Sequence, residues 1–126
     1  MAANSLYDKY NDNSIMTASK EELTLMLYEG ALKFANQAMT AIESKDYVKS
    51  NTLIMKVEDI IREFQMTLDF QYNISNDLNS LYDYMYGRLV EANMKKDLNI
   101  LEEVRNMLRE FRDTWKEAMN LAKQPA

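Results

Sequence analysis

The chain contains neither cysteine nor histidine. Disulfide frameworks, thiol nucleophiles, histidine-based triads and nearly all zinc sites are thereby excluded, leaving carboxylates, lysine, tyrosine and hydroxyl side chains as the only carriers of chemistry. Proline occurs once, at Pro125, and glycine twice, at Gly30 and Gly87, so residues 17 to 124 hold almost nothing that breaks a helix. Strand signals are equally missing: there is no sustained period-two alternation and no Asn-Gly or Asp-Gly hairpin turn. Positive charge is short as well. Fifteen Lys and Arg stand against twenty Asp and Glu, a formal net charge of -5, and Lys95-Lys96 is the only basic doublet. A phosphate-neutralising surface needs clustered Lys and Arg, so neither nucleic acid nor an anionic lipid surface is an expected partner. No run approaches the ~20 apolar residues of a membrane span, and no basic segment followed by an apolar run opens the chain. Cysteine-free composition suits a reducing compartment, and the expectation is a soluble, intracellular protein with no metal and no other cofactor.

What is present is apolar surface at helical spacing. At 126 residues and 47% hydrophobic, the chain is sized for one domain with its own core. Ser19 and Glu22 form a capping-box pair that opens a helix running to about Ser44. At 100° per residue, Leu23, Leu27, Ala31, Phe34 and Ala38 make one face of this helix. Leu25, Tyr28 and Leu32 fall almost opposite, leaving only a narrow polar strip. Such a helix either lies centrally in its own domain or lends one face to a partner. A second helix is expected from a cap at Asp46 to about Phe70, carrying Leu53, Val57, Ile60, Ile61, Phe64 and Leu68. A third starts at a cap on Ser75 and carries Leu78, Leu81, Tyr82, Met85 and Leu89 to Asn93. A fourth follows Asp97, with Leu101, Val104, Leu108, Phe111, Trp115, Ala118 and Ala122 alternating spacings of three and four, which assigns Phe111 and Trp115 to the core. The expected fold is all-α: residues 17 to 126 form an antiparallel up-and-down four-helix bundle, preceded by a short arm at residues 1 to 16.

Catalysis finds little support in this pattern. A di-iron carboxylate bundle requires Glu-x-x-His pairs, which a histidine-free chain cannot supply, and Glu58, Glu63, Glu102, Glu103 and Glu110 fall off the apolar seams, as solvated residues do. No glycine-rich phosphate loop is present. Eight tyrosines and ten methionines suit contact surface better than a reaction centre. Tyr82, Tyr84 and Tyr86, with Leu81 and Met85 between them, are the densest such cluster. A ligand-binding bundle enzyme and a self-associating helical adaptor remain alternatives.

Three stretches, Thr17 to Phe34, Leu81 to Asn93 and Glu102 to Ala118, together with Leu6-Tyr-Asp-Lys-Tyr10, closely resemble the family of flagellar export chaperones that bind flagellin. The similarity extends over nearly the full length, most loosely in the second helix, where Asn51, Leu53, Lys56 and Ile60-Ile61 carry it. Lys20 stands where the family often has proline, and either residue suits a first helical position. The resemblance implies a non-enzymatic cytoplasmic chaperone that binds the C-terminal segment of flagellin, prevents its premature polymerisation and escorts it to the flagellar type III export apparatus. It further implies that Tyr7, Tyr10 and Ile15 of the arm cover the binding groove in the free protein. Contact positions are then expected at Leu25, Tyr28, Asn51, Ile54, Leu81, Tyr82 and Met85.

Overall fold

The computed structural model describes residues 18–123. They form four helices, α1 (Lys20–Glu43), α2 (Tyr47–Met66), α3 (Ile74–Lys95) and α4 (Leu98–Ala122). Consecutive helices are neighbours and α4 returns to pack on α1, so the four stand at the corners of an antiparallel up-and-down bundle with α1 diagonal to α3. The expected fold class is the observed one.

The two ends of the bundle are built differently. At one end the helices are joined by the same device used twice. Lys45 and Lys96 adopt left-handed backbone conformations, with φ of 61° and 51°. The next amide in each case, from Asp46 and Asp97, bonds back to the carbonyls of Ala41 and Ala92 at 2.8 and 3.1 Å, the Schellman closure of a helix C-terminus. Each aspartate then caps the following helix: Asp46 Oδ1 accepts from the Lys49 amide at 3.2 Å, and Asp97 Oδ1 accepts from Asn99 and Ile100. A Lys-Asp pair therefore ends one helix and starts the next within two residues, which closes this end tightly.

The other end is open. The α2–α3 connection there spans residues 67 to 73, and α2 stops at Met66, short of the expected Phe70, because Thr67 Oγ1 donates to the Phe64 carbonyl and Asp69 Oδ1 captures the Gln71 amide. Ser75 is not the cap of α3. Its hydroxyl donates to the Asp69 carbonyl at 2.6 Å and pins the connection, while the helix starts from Asn73 without a side-chain cap bond. The Ser19 cap of α1 is as expected at the amide of Glu22, although its hydroxyl also donates to the Glu22 carboxylate.

Both apolar sides of α1 are buried within the bundle. Leu27, Ala31, Phe34 and Ala38 are covered on one side, Tyr28 and Leu32 on the other, while Leu23, Leu25 and Met26 at the open end are half-buried. The excess apolar surface of this helix thus serves its place between α2 and α4. Ala31, Ala35 and Ala38 let the backbones approach closely, and Ile54, Val57, Ile61, Met85, Leu89, Leu101, Val104 and Leu108 fill the centre with no exposed surface. Each such aliphatic side chain contributes about 1.5–3 kcal/mol on burial. The α4 seam leaves this core where it reaches the open end: Phe111 and Trp115 are half-buried against it, and Ala118 and Ala122 are exposed. The reason is the length of α4, since Trp115 already lies level with the first turn of α1, its Nε1 donating to the Glu21 carbonyl at 3.0 Å.

Candidate partner-binding groove

The open end is floored by four aromatic rings, one from each helix. Tyr28 of α1 lies 4.4 Å from Phe64 of α2, Phe64 lies 5.5 Å from Tyr82 of α3, Tyr82 lies 5.8 Å from Phe111 of α4, and Phe111 closes the circuit to Tyr28 at 6.5 Å between centroids. Both contacts made by Phe111 are edge-to-face, the arrangement aromatic quadrupoles favour. Across the bundle diagonal the two tyrosine hydroxyls bond to each other at 2.9 Å, so each satisfies the other inside an apolar layer. Burial raises the pKa of both phenols; for Tyr28 the adjacent Tyr82 adds to the effect.

Above this floor lies a cavity of about 800 Å³. Its walls are Leu23, Leu27, Leu68, Leu78 and Trp115, Tyr72 and Ile74 form a lip, and Lys20, Glu21, Glu63 and Asp69 stand on the rim. Tyr72 and Ile74 are 65% and 63% exposed and extend the apolar surface of the cavity outward. This volume lies in the range of ordinary ligand pockets, about 300–1,000 Å³, but its surface is mostly apolar, which suits apolar side chains of a peptide better than a small polar molecule. A second apolar area lies on α2 and α3 toward the closed end, where Val48, Met55 and Met94 are exposed and Asn51 bonds Asn93 at 2.7 Å. No described helix is long and apolar enough to cross a membrane.

The expected contact residues do not all meet in one place. Tyr28 and Tyr82 line the cavity together. Ile54 and Met85 are wholly buried in the central core, Leu25 is half-buried on α1, Leu81 is exposed on α3, and Asn51 sits at the second apolar area. Tyr7, Tyr10 and Ile15 lie outside the described residues. The cavity walls Leu23, Phe64, Leu68, Tyr72, Ile74, Leu78, Phe111 and Trp115 were absent from the expected set. Two signals point to them. An antiparallel bundle brings the start of α1 and α3 and the end of α2 and α4 to one end, and an aromatic in a connecting loop, such as Tyr72, has no core to fill.

A sequence model of the family described as flagellar protein FliS matches residues 2–122. The flagellar secretion chaperone FliS of Bacillus subtilis (strain 168) is 44% identical over 119 residues, covering 94% of this chain and 90% of that protein. The protein of the same description in Salmonella typhimurium is 32% identical, with 84% and 81% covered. A crystal structure of a flagellar chaperone from bacteria superimposes with a TM-score of 0.74 over 93% of this chain and 97% of the other; at 18% identity it is a likeness of fold.

Proposed function

Since the chain belongs to the FliS family of flagellar secretion chaperones, we propose that it binds the C-terminal segment of flagellin, keeps it from polymerising in the cytoplasm and delivers it to the flagellar export apparatus. The family is one of chaperones, not enzymes, and no catalytic step enters the account. The observation that carries the reading is the apolar cavity with its four-ring floor and exposed Tyr72–Ile74 lip. A flagellin end that is disordered before assembly must gain helix as it docks, and an amphipathic helix presents apolar anchors to such a groove. Ordering of that kind costs ~2–5 kcal/mol of the gross interaction, so a wrapped contact is needed, and the Val48–Met55–Met94 area supplies a second anchor toward the far end of the same molecule.

In this reading Tyr28 and Tyr82 serve as cavity floor, Leu25, Leu81 and Asn51 as flanking contacts, and Ile54 and Met85 support the floor from the core. The arm at residues 1 to 16 covers the groove in the free protein through Tyr7, Tyr10 and Ile15. Two facts support that: the arm joins the chain beside Lys20 and Glu21 on the cavity rim, and an exposed apolar groove in a free chaperone invites aggregation unless a tethered segment shields it.

Leu78→Asp tests the cavity. Leu78 is half-buried in the wall, so a charge there spoils an apolar docking surface without opening the central core. Calorimetric titration with a peptide comprising the C-terminal segment of flagellin should give binding for the parent and at least about tenfold weaker binding for the variant, with melting unchanged. Equal affinity would remove the cavity from the binding site.

A further inference from the structure

The second helix-scale pattern on this surface is electrostatic. Arg105, Arg109, Arg112 and Lys116 of α4 follow one another at spacings of four, three and four, so at 100° per residue they share an arc of about 60° and extend along about 17 Å of helix. Three acids of the same helix, Glu103, Glu110 and Glu117, seven residues apart, are centred about 130° away, while Glu102 and Asp113 border one edge of the arc, about 50° and 70° from its centre. The basic arc faces the α1 side of the bundle, because Arg105 Nη1 donates to Asn36 Oδ1 of α1 at 2.8 Å, whereas Glu103 faces α3 through Arg88 and Tyr84. On α1 the exposed charges on the face of Asn36 are Glu22, Glu29 and Lys33, a single net negative charge.

Apart from the Arg105–Asn36 bond to α1, these cations make no hydrogen bond or ion pair between helices among the described residues. Arg105 otherwise bonds its neighbour Asn106, and Arg112 pairs only with the adjacent Asp113. Arg109 and Lys116 make no ion pair among the described residues. Like charges one turn apart repel, and the usual remedy is to alternate signs along the helix. α3 does this, with Arg88 pairing Glu91 and Lys95 pairing Glu91. α4 instead concentrates its cations on one arc, in a chain whose net charge is -5.

We propose that the basic arc of α4 docks an acidic helical segment of a protein partner, along the α1–α4 seam and separate from the apolar cavity. Charge complementarity selects the partner's chemistry: carboxylates at three- and four-residue spacing on one helix face would meet the four cations in register. A nucleic acid is disfavoured, since Glu102 and Asp113 at the edge of the arc and the overall negative charge repel a polyanion wider than a single helix.

Fluorescence anisotropy tests this with the full chain and a labelled alanine-based helical peptide carrying four glutamates at spacings of four, three and four. A control peptide spreads the same glutamates around its helix, and a single-stranded thymidine oligonucleotide serves as a polyanion. The expected result is preferential binding of the first peptide, falling steeply with salt, and weakened at least about tenfold by Arg109→Glu with Lys116→Glu. That double variant should melt like the parent and bind the flagellin peptide unchanged, which separates this surface from the cavity. Absence of binding at low salt, equal binding of both peptides, tighter binding of the oligonucleotide, or indifference to the charge reversal would each overturn the proposal. So would loss of flagellin-peptide binding in the variant, which would assign the arc to that site instead.

Discussion

Replacing either tyrosine of the diagonal pair with phenylalanine removes one hydroxyl and strands the other. Tyr28 and Tyr82 are 6% and 3% exposed, and each hydroxyl has the other as its partner at 2.9 Å. Tyr82→Phe therefore leaves the Tyr28 hydroxyl buried and unpaired, at a cost of about 1–3 kcal/mol, with the lower end favoured where cavity water reaches it. Tyr28→Phe should cost about the same by the same argument. The double variant removes both polar groups and leaves a four-ring apolar floor of nearly unchanged shape, so its cost should fall below the sum of the singles, a coupling of at least about 1 kcal/mol. In a chain of this size each kcal/mol shifts the melting temperature by about 3–6 °C. Urea denaturation of the four proteins, with equal m-values, gives the cycle. Additivity to within about 0.5 kcal/mol would refute the reasoning, because it would mean that the hydroxyls do not depend on each other.

At the closed end, Lys45 has φ of 61° and makes no side-chain bond among the described residues, so Lys45→Gly should raise stability by up to about 1 kcal/mol, the left-handed cost of a side chain outweighing the added freedom of glycine when unfolded; a lower urea midpoint would contradict this. Hydrogen bonds from Tyr84 and Arg88 hold the Glu103 carboxyl below its ordinary pKa, and Lys95, with Arg88, does the same for Glu91. For a depressed carboxyl the native state favours the ionised form, so this stability is present above the ordinary value of 4.5 and is lost as pH falls through the folded pKa. Glu58, raised mainly by burial and then by Asp59, acts in the opposite sense, its contribution being present below 4.5 and lost as pH rises. Glu103→Gln should accordingly flatten the loss of stability between neutral and acid pH, which urea midpoints at several pH values will measure. For the arm, Tyr7→Ala with Tyr10→Ala should bind flagellin peptide at least as tightly as the parent and bind a hydrophobic dye more strongly when free, since a competing cover lowers apparent affinity; loss of affinity in a folded variant would make the arm part of the site.

The sequence made the bundle legible because its signals are local. Ser19, Asp46 and Asp97 cap helices by contacts within three residues, and the apolar spacing of α2 and α4 reads directly as buried faces. The cavity was less legible because it is a product of topology. Tyr28, Phe64, Tyr82 and Phe111 are far apart in sequence and meet only when four helix ends come together. Of the expected contact residues Tyr28 and Tyr82 line the cavity, whereas Ile54 and Met85, chosen on the same grounds, are wholly buried in the core. Trp115 shows the limit of a heptad seam: the repeat continues after the neighbouring helix has ended, and periodicity alone does not report where burial stops. The basic arc escaped notice for a related reason, since residues three and four apart never form a doublet.

Trp115 is the only tryptophan and stands in the cavity wall, which makes it an internal reporter of the groove. Titrating the free protein with the flagellin C-terminal peptide, itself lacking tryptophan, and following Trp115 emission tests the central claim most directly. Docking should remove water from a half-buried indole and shift its emission to shorter wavelength, saturating at the dissociation constant found by calorimetry. Calorimetric binding with no change in Trp115 emission would place flagellin elsewhere on the bundle and contradict the account.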